Sequence, residues 1–115
     1  MSPGVRVAYA SEIAVARELL RRGRDGEAFG HLERAHVLGQ DDLRAHVESH
    51  WLMLVVAVRA RDWRAALGQA VRIVLGALGS AVGVVPTGNT GGTDISMFKR
   101  LPIAPDLRAI MDDVR

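Results

Sequence analysis

The chain reads as an all-α protein: two antiparallel helical hairpins, tetratricopeptide-like, closed by a partly irregular C-terminal strap. Three observations predict this. Apolar residues recur at helical spacing over about 3–80, the turns between them repeat, and glycine and proline gather after Gly79. At 115 residues the chain suits one domain, 1–115, with the hairpins over about 3–80 and the strap over about 81–115.

Ser2-Pro3 opens the first helix, serine as cap and proline at the first helical position, with Ser11 as a second candidate cap. Ile13, Ala16, Leu19 and Leu20 supply its apolar side. Gly23 and Gly26 bracket a turn around Arg24-Asp25. A second helix is expected over about 27–38, with Ala28, Leu32 and Ala35 on one face and Phe29 beside it. Gly39 suits a C-cap, and Asp41 or Asp42 can open a third helix over about 42–60. In that helix Val47, Leu54 and Val58 form the expected apolar side, flanked by Trp51 and Val55. After Arg61-Asp62 a fourth helix runs from about Trp63 towards Leu78, carrying Ala66, Leu67, Ala70, Ile73 and Val74.

A shift of 37 positions places Arg22 on Arg59, Arg24 on Arg61, Asp25 on Asp62, Ala28 on Ala65, and Val37-Leu38-Gly39 on Val74-Leu75-Gly76. Tetratricopeptide units repeat at about 34 residues. Two similar hairpins without true repetition fit the same turns. Two units leave an apolar face open, to be covered by the C-terminal segment or another subunit. Val82, Val84, Val85, Ile95, Met97, Phe98, Leu101 and Ile103 make that segment an ordered strap rather than a linker. A last short helix is expected after Pro105-Asp106, through Leu107, Ile110, Met111 and Val114.

Cysteine is absent, which excludes disulfides and thiolate metal sites. Fourteen of the 15 basic residues are arginine, yet the formal charge is only +2, and Arg21, Arg22 and Arg24 form the sole dense basic cluster. A nucleic-acid surface is therefore not expected. The apolar run 51–60 is too short for a membrane span, and 71–85 is broken by Arg72, Gly76, Gly79 and Gly83. With no signal-peptide pattern, a cytoplasmic protein is expected.

All four histidines, His31, His36, His46 and His50, fall within 20 residues. His46 and His50 lie one helical turn apart on one face. Glu33 and His36 are co-facial on the preceding helix, and a short turn folds the two helices antiparallel. His46 and His50, with His36 or Glu33, are thus candidate ligands for a divalent transition metal such as zinc, or for nickel, copper or iron. His31 lies about 140° round from His36 and is at most an associated residue. A histidine–carboxylate network tying the hairpins together accounts for the same residues. Ser49 directly precedes His50, so their side chains diverge by about 100° and form no dyad. No catalytic residues are assigned, and an enzyme is not expected. The run 86–94 is rich in glycine. Gly88, Asn89, Thr90 and Gly91 form a weak candidate anion nest, but the Walker lysine is missing and a tight turn explains the composition.

The blocks His31-Leu-Glu-Arg-Ala-His-Val-Leu-Gly-Gln40 and His46-Val-Glu-Ser-His-Trp-Leu-Met-Leu54 resemble an uncharacterised bacterial family of short proteins, a domain of unknown function. Ala60-Arg-Asp-Trp-Arg64, Pro86-Thr-Gly-Asn-Thr-Gly91 and Leu101-Pro-Ile-Ala-Pro-Asp-Leu107 match its later motifs, so nearly the whole chain is covered. The resemblance implies that all four histidines and the Gly-Asn-Thr-Gly turn stand at family motif positions, and it implies no activity. The leading expectation is a small interaction or scaffold module, as a homodimer or with a protein partner on its helical face. The alternative is a metal-binding protein using the histidine cluster at the junction of helices two and three.

Overall fold

The computed structural model describes residues 1–81 and 102–113. Its elements are five helices: α1 (Pro3–Arg21), α2 (Asp25–Gly39), α3 (Leu43–Arg59), α4 (Trp63–Ala81) and α5 (Pro105–Asp112). There is no strand among the described residues. α1 pairs with α2, α3 pairs with α4, and α2 packs on α3, so the two hairpins stack in a helical-repeat arrangement like that of tetratricopeptide units. The caps follow from side-chain chemistry. Ser2 Oγ accepts the Val5 N–H (3.2 Å), which makes Ser2 rather than Ser11 the start of α1. Asp42 Oδ1 accepts from Ala45 N–H and Asp62 Oδ1 from Ala65 N–H, both at 3.0 Å, so an aspartate opens α3 and α4 alike.

The two intra-hairpin turns are one backbone motif used twice, at an offset of 38 and not 37. The N–H of Arg24 bonds Leu19 O, and the N–H of Asp62 bonds Ala57 O, each at 2.9 Å. Gly23 N–H bonds Leu20 O, and Arg61 N–H bonds Val58 O, each at 3.1 and 3.0 Å respectively. Gly23 (φ 71°) and Arg61 (φ 55°) both take the left-handed conformation. This is the Schellman ending of a helix. Residue identities repeat one position out of step with the backbone, which is why the sequence offset is one short. Arg59 ties the two turns together: it donates from Nη2 to Leu20 O (3.0 Å), and its Nε lies 3.0 Å from Asp25 Oδ2.

The α2–α3 corner is built differently. Gly39 is not a left-handed cap. It is the last residue of α2, and Gln40 continues in right-handed helical conformation. Gly39 is small because the corner is crowded: a Cβ there would sit 2.6 Å from Ala45 Cβ and 3.1 Å from the Tyr9 ring. The Tyr9 hydroxyl lies 2.6 Å from Glu48 Oε1 and 3.1 Å from Ala45 O, which locks α1 against α3 at this corner.

The core is formed by Val5, Tyr9, Ile13, Ala16 and Leu20 of α1, by Ala28, Leu32, Ala35, Val37 and Leu38 of α2, and by Ala45, Leu52 and Met53 of α3. Leu107 of α5 completes it, with Ile103, Ile110 and Met111 packed alongside. The described part of the strap thus covers the first hairpin, where Arg34 also pairs with Asp106. α4 supplies no member of this core. Of its expected apolar residues only Ala66 is buried and Ile73 is half-buried; Leu67 is 68% exposed and Val74 60%, while Gln69 and Arg72 are buried. α3 is likewise rotated from expectation. Val58 and Trp51 are exposed, and the inward side is Ala45, His46, Ser49, His50, Leu52, Met53 and Ala57. The basic cluster is neutralised locally: Arg21 and Arg22 pair with Glu18, and Arg24 with Glu27. Among the described residues no helix is long and apolar enough to cross a membrane.

Candidate metal centre

His36 lies in the last turn of α2, and His46 and His50 lie one turn apart near the start of α3. The tight corner at Gly39 folds these turns onto each other, so imidazoles 14 residues apart in sequence meet in the interior. All three are buried, at 5%, 7% and 3% exposure. One ring nitrogen from each can be chosen so that all lie within 4.8 Å of one another. His36 Nε2 and His50 Nε2 are 3.0 Å apart. The rings of His36 and His46 meet edge-on with centroids 4.9 Å apart, and those of His36 and His50 at 4.6 Å.

α4 closes the site and sets its protonation. His50 Nδ1 is 2.7 Å from Gln69 Oε1, and the amide is oriented by its Nε2–H, which points at Met53 Sδ (3.6 Å). A carbonyl oxygen can only accept, so Nδ1 carries the proton and the Nε2 lone pair of neutral His50 faces the other two histidines. Histidine ligands are commonly held in this way by an acceptor on the far ring nitrogen. Burial pushes His50 down to about 4, helped by the nearby His46 and Arg72 and opposed by the Gln69 hydrogen bond. Burial alone lowers His46. Both are therefore neutral at neutral pH, the form that binds metal. Gly76 makes room on the same face of α4: a Cβ there would stand 3.1 Å from His46 Nε2 and 3.2 Å from its Cε1.

The other sequence candidates lie elsewhere. His31 Nδ1 is 2.7 Å from Glu12 Oε2, and the other oxygen of Glu12 accepts from Arg34 Nε (2.9 Å). His31 therefore joins α1 to α2 and stands outside the cluster. Glu33, one turn before His36, is half-buried and outside the three-histidine set; it lines a groove of about 500 Å³ with Phe29, Met53, Ala65 and Gln69. Ser49 Oγ donates to His46 O (2.9 Å), a bond within its own helix. The loop with Gly88, Asn89, Thr90 and Gly91 lies outside the described residues. Gln69, Arg72 and Gly76 are not among the site candidates of the sequence, where Arg72 and Gly76 count only as breaks in an apolar run and Gly76 as the repeat counterpart of Gly39. A glutamine and a glycine seven residues apart, two turns along one face of an otherwise apolar helix, are the available signal.

No curated protein and no solved structure matches the chain. The model of one family, described as a protein of unknown function (DUF3703), matches residues 3–111, a stretch that takes in all three clustered histidines together with Gln69 and Gly76, and the chain belongs to that family.

Proposed function

We propose that the protein binds a divalent transition metal, zinc foremost, through His36, His46 and His50. The observation that carries this reading is the convergence of three buried imidazoles, one with its tautomer fixed by Gln69. Two imidazole nitrogens on a tetrahedral ion stand about 3.3 Å apart, given Zn–N bonds of about 2.0–2.1 Å. The 3.0 Å between His36 Nε2 and His50 Nε2 is already close to that. A pair as far apart as 4.8 Å would have to close by roughly 1.5 Å, within reach of side-chain rotation. Three histidines leave one coordination position for water or an anion. The donor set is nitrogen only, which favours zinc, copper or nickel over calcium or magnesium.

Titration calorimetry of untagged protein with Zn²⁺, Ni²⁺ and Cu²⁺, paired with elemental analysis, tests this. One equivalent per chain is expected, lost in His46→Ala and His50→Ala. A network that serves only stability gives a different result: both substitutions lower the melting temperature, and metal content stays at background in every form. The interaction-module reading draws on a separate observation, the apolar outer side of α4.

A further inference from the structure

Leu67, Val71, Val74 and Leu78 follow one another at spacings of four, three and four residues along α4. That is the seam pattern by which one helix packs along another. All four are exposed, as are Trp63 and Leu75 beside them. Together they leave on the order of 500 Å² of apolar surface open on a single helix, near the upper limit for an ordinary monomer. The geometry points to a second copy of this chain as the occupant: we propose that two molecules pair through α4, antiparallel about a two-fold axis between Val71 and Val74.

Three features select this occupant. The seam is complementary to itself, since a two-fold at that point sets Leu67 against Leu78 of the partner subunit and Val71 against Val74 of the partner subunit. Larger side chains thus meet larger ones and smaller ones meet smaller ones. The charge distribution fixes the direction. α4 carries no carboxylate, and Arg64 stands one turn before Leu67 on the same line. A parallel pair brings two Arg64 side chains together. An antiparallel pair sets each beside the C-terminal end of the opposite helix, where the backbone dipole is negative. The area is also sufficient: covering the stripe on both copies removes about 1,000 Å², the lower bound for a specific interface. Arg72, the one charge within the seam's length, points inward and is buried.

Sedimentation equilibrium of the full chain is expected to give twice the chain mass at micromolar concentration. Val74→Glu is expected to give the single-chain mass with unchanged far-ultraviolet circular dichroism, because Val74 supports no contact of the monomer core. Orientation is read by crosslinking, and the cysteine-free sequence makes single-cysteine variants clean probes. In the antiparallel pair, equivalent residues at position 74 are offset by about 4.5 Å along the axis and those at position 67 by about 16 Å. A short bis-maleimide therefore links Val74→Cys and not Leu67→Cys. A single-chain mass at all concentrations overturns the proposal, whether residues 82–101 of the same chain or a different protein covers the stripe. So does a dimer that survives Val74→Glu, or equal crosslinking at both positions. No measurement here involves metal, so the result stands apart from that of the histidine site.

Discussion

The two hairpins are built to opposite plans. The first, α1 and α2, buries Val5, Tyr9, Ile13, Ala16, Leu20, Ala28, Leu32 and Ala35, and it carries ion pairs such as Arg22–Glu18 and Arg24–Glu27 on its surface. The second, α3 and α4, turns His46, His50, Ser49, Gln69 and Arg72 inward, with His36 of α2 joining the histidines, and leaves Trp51, Val58, Trp63, Leu67, Val74 and Leu78 outside. The difference is informative. The first hairpin is stabilised in the ordinary way, by removing apolar surface from water. In the second, buried polar groups satisfy one another, which contributes little net stability but fixes a unique arrangement. A fold of this size tolerates that arrangement only because the first hairpin and α5 supply the apolar core.

The sharpest contrast is between two leucines. Leu32 is fully buried, and Leu32→Ala is expected to cost about 3 kcal/mol in urea unfolding. Leu67→Ala, at an exposed position, is expected to stay within about 0.5 kcal/mol when measured at submicromolar protein concentration. Equal losses would erase the distinction between the hairpins.

Acid should attack the second hairpin selectively. His50 sits at about 4 in the folded protein and near 6.5 when unfolded. Between these values the unfolded chain holds more protons, so stability rises with pH. The contribution is complete above pH 6.5, on the order of 2 kcal/mol, and is lost as pH falls from 6.5 towards 4. Metal-free protein melted at pH 7 and pH 4.5 reads this, and His50→Gln should flatten much of the slope.

Two glycines separate crowding in a core from crowding in a site. Gly39→Ala drives a methyl into Ala45 and Tyr9 and is expected to destabilise by roughly 1–3 kcal/mol. Gly76→Ala meets only the edge of a movable imidazole, and the gain of about 1 kcal/mol in helix propensity opposes the clash. Its melting temperature should barely move, while zinc affinity falls about 10-fold through displacement of His46. The smallest effect concerns the repeated turn. Arg61 holds a left-handed conformation that glycine adopts freely, as Gly23 does in the first copy. Arg61→Gly should raise stability by roughly 0.5 kcal/mol, net of the greater freedom of the unfolded chain.

The elements were largely legible in sequence, and the facing of the second hairpin was not. Ser2, Asp42 and Asp62 mark helix starts because a short oxygen-bearing side chain reaches orphan N–H groups, a purely local effect. Pro105 marks α5 in the same local way. The histidine cluster was partly visible, because His46 and His50 are one turn apart and the α2–α3 corner is short. Periodicity finds the apolar stripe of α4 but says nothing about which side packs inward, and an apolar stripe ordinarily faces the core. Nothing local marks Leu67 and Val74 as outward-facing, or Gln69 and Gly76 as neighbours of the histidines. His31 is separated from His36 by helical phase, as expected, and Glu12, which holds it, lies on another helix that no local pattern connects to it.

α4 has the histidine-facing side chains on one flank and the apolar stripe on the other, and Ala66, Gln69 and Arg72 are the buried ones among its described side chains. A small rotation of α4 about its own axis would therefore move Gln69 and the exposed stripe together. A roll of about 20° carries a side-chain atom about 5 Å from the axis through nearly 2 Å. That is comparable to the closure asked of the widest nitrogen pair. If a second molecule held the outer flank, it would bias where Gln69 and Gly76 stand, and its binding and that of a metal at the histidines would then be linked in both directions.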